Sequence, residues 1–176
     1  PPEQDPITRN IGPASRRAKN KAAVINIAHI SDAEFQLLRD WLYERSGINL
    51  SDAKKQLVMG RLQKRLAHHG LVRYGDYHRL LQSGRVPEEA QIATDLLTTN
   101  ETYFFREPKH FDFLRGQAVP SRRTGMTYRV WSAASSSGEE PWSIAMTLAD
   151  ALPDAPWEIV ASDLSTRVLE RARSAH

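Results

Sequence analysis

The amino-acid sequence predicts two parts of different class. The first is a small all-α bundle over residues 31–98; the second, beyond a polar connector, is the opening βαβ unit of a parallel α/β domain over residues 127–176. Three observations predict it. Up to residue 98, apolar residues recur at helical spacing between recognisable start and stop signals. Past residue 126, two short runs rich in aromatic and β-branched residues, 128–131 and 157–161, flank a helical stretch. Between the first run and that helix lies Ser132 to Gly138, where no side chain is larger than serine.

The elements follow in order. Residues 1–30 are read as a disordered basic tail: its first stretch carries Arg9, Arg16, Arg17, Lys19 and Lys21 against Glu3 and Asp5, with too few large apolar side chains to offset the entropy of ordering. Ser31 and Glu34 form a capping box, and Phe35, Leu38, Trp41 and Leu42 continue at helical spacing until Ser46-Gly47, so a helix is expected near 32–45. Ser51-Asp52 opens a second helix that ends near His69, with Gly70 suited to a left-handed cap. Its Val58, Met59, Leu62 and Leu66 share one face, and Lys54, Arg61, Lys64, Arg65 and His68 share the adjacent one. Two shorter helices are expected, from Tyr74 to Leu81 and from Pro87 to Leu97. Residues 99–126 read as a linker with one connecting helix, Pro108 to Leu114, and 116–126 as loop. A strand (128–131), a helix (139–152), a second strand (157–161) and a last helix (165–173) complete the chain.

Composition narrows the class of function. With 176 residues, 24 Lys+Arg against 21 Asp+Glu and 40% hydrophobic residues, the chain is ordinary for a water-soluble protein. No apolar run approaches the roughly 18–20 residues of a membrane span. Zero cysteines exclude disulfides and thiolate catalysis, and no metal site is expected. No leader is visible in the polar start, so a cytoplasmic protein is the default.

The βαβ unit points to a site, because ligands of open α/β sheets bind outside the carboxyl ends of the strands. There the small-residue run lets a ligand approach the backbone, and Asp163, at the end of the second strand, is placed to accept hydrogen bonds from ribose hydroxyls. A nucleoside-containing cofactor is implied. The G-x-G-x-x-G spacing for a pyrophosphate is absent, and the helix starts with Glu139-Glu140, which would repel phosphate. S-adenosylmethionine, with its sulfonium and ammonium, suits those carboxylates. Each residue also has a plainer reading. Glu139 and Glu140 complement a helix dipole, Asp163 caps the helix that follows, Asn100 and Thr102 are turn residues, and Phe104-Phe105 is core.

Taken together, Asn100-Glu101-Thr102-Tyr103-Phe104-Phe105-Arg106-Glu107, Val130-Trp131-Ser132-Ala133, Ser137-Gly138-Glu139-Glu140-Pro141-Trp142-Ser143-Ile144-Ala145 and Ala161-Ser162-Asp163-Leu164-Ser165 closely resemble the chemotaxis receptor methyltransferases (CheR). The helix Lys55 to Leu66, with its G-R-L-x-K-R-L core, is similar as well. The resemblance covers about residues 31–176. Its departures are Ala134-Ser135 where the family has a Gly-Cys pair, Ser137 where it has Thr, and Trp142 where it has Tyr. It implies an α-helical docking domain joined to a Rossmann-like S-adenosylmethionine-dependent methyltransferase domain. Family members continue well past the point where this sequence stops, so a domain truncated after its first part is expected, and a chain this short is expected to bind cofactor poorly. The implied reaction is methyl transfer from S-adenosylmethionine to glutamate side chains on the cytoplasmic helical domain of chemoreceptors, leaving S-adenosylhomocysteine and a methyl ester.

Carried over by position, the resemblance assigns cofactor contacts to Asn100, Thr102, Arg106, Glu140 and Asp163. Asp163 is matched to the ribose, Glu140 to the ammonium, and Arg106, the expected catalytic residue, to a carboxylate of either cofactor or substrate. The basic stripe of Lys54, Arg61, Lys64 and Arg65 is read as a receptor-docking face, since residues 51–82 carry seven basic and two acidic side chains. The expected protein is a monomer recruited from the cytoplasm to receptor arrays, with no segment inserted in the membrane. Two rivals remain. A nucleic-acid-binding module is suggested by a pI of 9.4 but disfavoured by a net charge of only +3, and a catalytically inactive receptor-binding scaffold fits the same helices.

Overall fold

The computed structural model describes residues 27–121 and 125–174. Most of the basic tail read at 1–30 lies outside the described residues. Its last four do not: Ala28 N–H donates to Val72 O at 3.0 Å, Ile30 is buried and Ile27 packs beside it, so residues 27–30 pack on the bundle and are not a disordered tail.

Four helices build the bundle: α1 (Asp32–Ser46), α2 (Lys55–His68) behind a 3-10 turn at Asp52–Lys54, α3 (Tyr74–Ser83) and α4 (Pro87–Leu97). The capping box at Ser31 and Glu34 forms as the sequence predicts. Glu34 does more than cap. Its Oε2 accepts from Ser31 N at 2.9 Å while Oε1 accepts from Gly75 N at 2.9 Å, tying the start of α1 to the start of α3. A side chain at Gly75 would press on that carboxylate, its Cβ lying 3.4 Å from Glu34 Oε1. Burial pushes the Glu34 carboxyl up, but the N–H donors of Ser31 and Gly75 outweigh it and hold it below the ordinary range.

The bundle core is Leu38, Leu42, Val58, Leu62, Leu66, Tyr74, Tyr77 and Ala93, all fully buried, with Leu50, Leu81 and Leu97 at its margin. One charged group lies inside it. Glu89, in the first turn of α4, is 0% exposed, accepts from Arg65 Nε at 2.8 Å and from Tyr77 Oη at 2.6 Å, and has His69 Nε2 2.9 Å from its Oε2. A second guanidinium nitrogen of Arg65 closes a fork on the carboxylate. Burial alone would raise the Glu89 carboxyl; Arg65, then Tyr77 and His69, bring it instead to about 2.

The second part is α5 (Pro108–Ser121), β1 (Tyr128–Ser132), α6 (Glu139–Ala151), β2 (Trp157–Ala161) and α7 (Thr166–Ser174). The two strands pair in parallel, Tyr128 opposite Trp157 through Ser132 opposite Ala161. Tyr128, Val130, Trp157 and Ile159 face a second core of Phe111, Ala118, Ile144, Leu148, Ala151 and Leu152. The other face of the sheet holds an Arg129–Glu158 ion pair at 2.9 Å and exposed Trp131 and Val160. This is the all-α bundle followed by the start of a parallel α/β domain that the sequence predicts.

One element departs from expectation. The connecting helix does not stop at Leu114; it runs to Ser121 through residues expected as loop. Ala118, fully buried against α6, holds the extra turn in place. Pro120 is tolerated because it falls in the last turn, where it removes a single ladder bond, and Gly116 meets no neighbour that would need its missing side chain.

Candidate functional site

Beyond β1 the chain forms a tight loop. The ladder continues past the strand ends, with Ser162 N donating to Ser132 O and Ser135 N to Ser162 O, each at 3.0 Å. The loop then turns through two left-handed residues, Ser136 at φ +48° and Gly138 at φ +106°. Gly138 is required twice over. Its φ lies where side chains are rarely found, and a Cβ would stand 3.3 Å from Ala172 Cβ of α7.

Ser136 is the hub of this loop. Its backbone N–H donates to Asp163 Oδ2 at 2.8 Å, and its hydroxyl donates to Asn100 O at 2.8 Å. Asp163 Oδ1 accepts from Ser165 N at 2.8 Å, so the carboxylate caps the turn into α7 while facing the loop. Beside it, the buried hydroxyls of Ser135 and Ser165 have no hydrogen-bond partner among the described residues, leaving polar capacity unused at the loop.

The connector is tied down from both sides. Arg61 of α2 donates to the carbonyls of Leu96, Leu97 and Thr98 at 3.1, 3.3 and 2.9 Å, closing the carboxyl end of α4. Asn100 Nδ2 donates to Thr98 Oγ1 at 3.3 Å. Further on, Phe105 N donates at 2.9 Å to Ser143 Oγ of α6, and Phe105 and Glu107 take φ of +56° and +58°, a strained course for residues other than glycine. Arg106 donates to Glu101 O at 2.9 Å and lies over the Tyr103 ring at 5.9 Å. It has no carboxylate partner among the described residues.

These segments enclose a cavity of about 190 Å³ lined by Thr99 to Thr102, Arg106, Phe111, Ala134, Ser136, Glu140 and Asp163. Asn100, Thr102, Arg106, Glu140 and Asp163 therefore meet at one place, although they come from the connector, the start of α6 and the end of β2. Glu139 does not join them, because Ser137 Oγ holds its two oxygens at 3.1 and 2.8 Å. Three acidic residues, Glu101, Glu140 and Asp163, line it against one guanidinium, Arg106, so the cavity favours a ligand with cationic groups over a phosphate. No histidine lines it; His110 lines a neighbouring apolar cavity of about 240 Å³ that shares Phe111 and Glu140. Ser136 was not among the expected site residues. Only the tertiary position of its hydroxyl and N–H reveals its part.

The basic stripe of α2 divides in the structure. Lys54 and Lys64 are exposed, as is His68. Arg61 and Arg65 are turned inward, one onto the end of α4 and the other onto Glu89. Two of the four residues expected on a docking face thus have their guanidinium groups occupied within the fold. Among the described residues no helix is long and apolar enough to cross a membrane, and no cluster of His, Asp and Glu could hold a metal ion.

Comparison with known proteins agrees with the geometry. Residues 33–98 match the CheR methyltransferase all-alpha domain, and residues 100–176 match the CheR methyltransferase SAM-binding domain. The chain is 50% identical over 147 residues to a chemotaxis protein methyltransferase of Escherichia coli (strain K12), covering 82% of this chain and 50% of that protein. It is 49% identical to the chemotaxis protein methyltransferase of Salmonella typhimurium, with the same coverage of both proteins. Chemotaxis protein methyltransferase 2 of Pseudomonas aeruginosa is 45% identical over 82% of this chain and 52% of its own length. The chain thus spans about half the length of the curated relatives it matches. On the succession of its two domain types and the extent of these matches, the chain belongs to the CheR methyltransferase family.

Proposed function

We propose that the chain holds S-adenosylmethionine for methyl transfer to glutamate side chains of chemoreceptors. The observation that carries this reading is the convergence of Asn100, Thr102, Arg106, Glu140 and Asp163 on one carboxylate-rich cavity at the carboxyl ends of the strands. The donor set fits the cofactor's chemistry. Asp163, held by two backbone N–H groups, would accept from the ribose hydroxyls; Glu140 would meet the ammonium, and Arg106, which has no carboxylate partner among the described residues, would meet a carboxylate. Asn100 and Thr102 line the same wall from the connector.

Held there by Asn100, Thr102, Arg106, Glu140 and Asp163, the cofactor would supply an electrophilic methyl group for a glutamate oxygen, with S-adenosylhomocysteine as the leaving group and a methyl ester as the product. A glutamate with a reference pKa near 4.3 is already ionised at neutral pH, so no general base is required. The work left to the chain is alignment and exclusion of water from the carboxylate. Receptor docking is proposed for the exposed basic residues Lys54 and Lys64, where steering of an acidic helical surface needs accessible charge.

The test is calorimetry with S-adenosylhomocysteine on a protein that carries the whole SAM-binding domain. Asp163→Ala is expected to abolish measurable binding, since it removes the ribose acceptor and releases the Ser136 turn. Unchanged affinity would sink the assignment.

A further inference from the structure

We propose that Ser132 is a positioning residue that aims the Glu140 carboxylate at the ammonium end of the cofactor, and so helps select a ligand carrying an amino-acid group. The inference rests on the reading of the cavity given above and adds a residue to it. Ser132 ends β1 and is 2% exposed. Its backbone is fixed by the strand register with Ala161 and by the bond its carbonyl accepts from Ser162 N. Its hydroxyl donates to Glu140 Oε1 at 2.6 Å, a bond to a charged acceptor from a donor that cannot move.

Glu140 needs such a restraint. It is exposed, has no ion pair among the described residues, and stands on the wall shared by the two cavities. Freed from Ser132, its carboxylate can swing between the polar cavity and the apolar one, and the entropy of holding it falls on the ligand. One oxygen on Ser132 leaves the other for an incoming ammonium. The adjacent Glu139 has both oxygens on Ser137, which separates the roles of the two neighbouring carboxylates.

The test compares two ligands that share adenosine and sulfur: S-adenosylhomocysteine, and 5′-methylthioadenosine, which lacks the amino-acid end. Ser132→Ala should weaken S-adenosylhomocysteine about tenfold and leave 5′-methylthioadenosine within about twofold. Ser132→Cys, nearly the same size with a weak donor, should move in the same direction. In the Glu140→Gln background, Ser132→Ala should add little. Equal weakening of both ligands, or none of either, overturns the positioning role while leaving the methyl-transfer reading intact. All variants are made in a protein that carries the whole SAM-binding domain; if that protein with Ser132 intact binds neither ligand, the methyl-transfer reading is overturned, and the role of Ser132 with it.

Discussion

Arg65 and Lys64 are neighbours on α2, and the fold assigns them opposite duties. Replacing Arg65 by alanine leaves Glu89 fully buried without the fork that balances its charge. Breaking a buried pair from one side typically costs about 3–5 kcal/mol. The Arg65 side chain is 21% exposed, which places the expected cost near the lower end, about 3 kcal/mol. The Glu89 carboxyl points the same way: against the upward push of burial, Arg65, with Tyr77 and His69, holds it down from 4.5 to about 2. For a chain of this size the loss lowers the melting temperature by about 6–12 °C. Lys64→Ala, on an exposed side chain, should stay within about 0.5 kcal/mol of wild type.

The pH dependence follows with a definite direction. Because the folded carboxyl is depressed, its contribution is complete above 4.5 and is lost as pH falls toward 2. The deficit of Arg65→Ala should therefore be largest at neutral pH and shrink below 4.5. Urea unfolding of wild type, Arg65→Ala and Lys64→Ala at neutral and acidic pH measures all of this. If Arg65→Ala kept wild-type stability and lost only affinity for receptor, the Arg65–Glu89 pair would not hold the bundle together, and Arg65 would belong to the docking face.

Three further outcomes are expected. Arg61→Ala should cost about 1–2 kcal/mol in urea unfolding, because it uncovers three carbonyls at the negative end of α4. Gly138→Ala should cost about 1–3 kcal/mol from backbone strain at φ +106° and the close approach to Ala172, and should weaken S-adenosylhomocysteine as the loop shifts. His78 is buried, which pushes its imidazole below 6.5, with Arg79 acting the same way and Glu44 against. Its contribution is present above 6.5 and lost as pH falls, so His78→Leu should flatten the stability profile on the acid side of neutrality in thermal melts.

What the sequence made legible was what chemistry writes locally. The capping box at Ser31 and Glu34, the left-handed Gly70 after α2 and the proline opening α4 are all decided within a few residues. The extension of α5 was hidden, because Gly116 and Pro120 argue for loop while the burial of Ala118 against α6 argues for helix, and packing prevailed. The basic stripe misled for a related reason. Helical spacing tells which residues share a face of α2 but not what stands opposite, and the partners of Arg61 and Arg65 lie 24 to 37 residues further along. In the site, Asp163 and the small-residue loop were readable from the βαβ pattern. Asn100, Thr102 and Arg106 were not, since a polar connector carries no periodicity; there the resemblance supplied what spacing could not.

The two readings of Asp163, helix cap and ribose acceptor, prove compatible when its lone pairs are counted. An ionised carboxylate has about four acceptor positions, and the backbone N–H groups of Ser136 and Ser165 take one on each oxygen. Capping thus fixes the carboxylate before any ligand arrives and leaves each oxygen able to accept again. Glu140 is fixed likewise by Ser132. Arg106 differs: only the Glu101 carbonyl and the face of Tyr103 restrain its guanidinium, and both belong to the connector that carries it. The acidic side of the cavity is therefore built on the sheet and its loop, while the basic side is carried by the connector. On the function proposed for the cavity, the cofactor's cationic and ribose groups would meet partners already held by hydrogen bonds, and the side chain left to be ordered by a carboxylate would be Arg106.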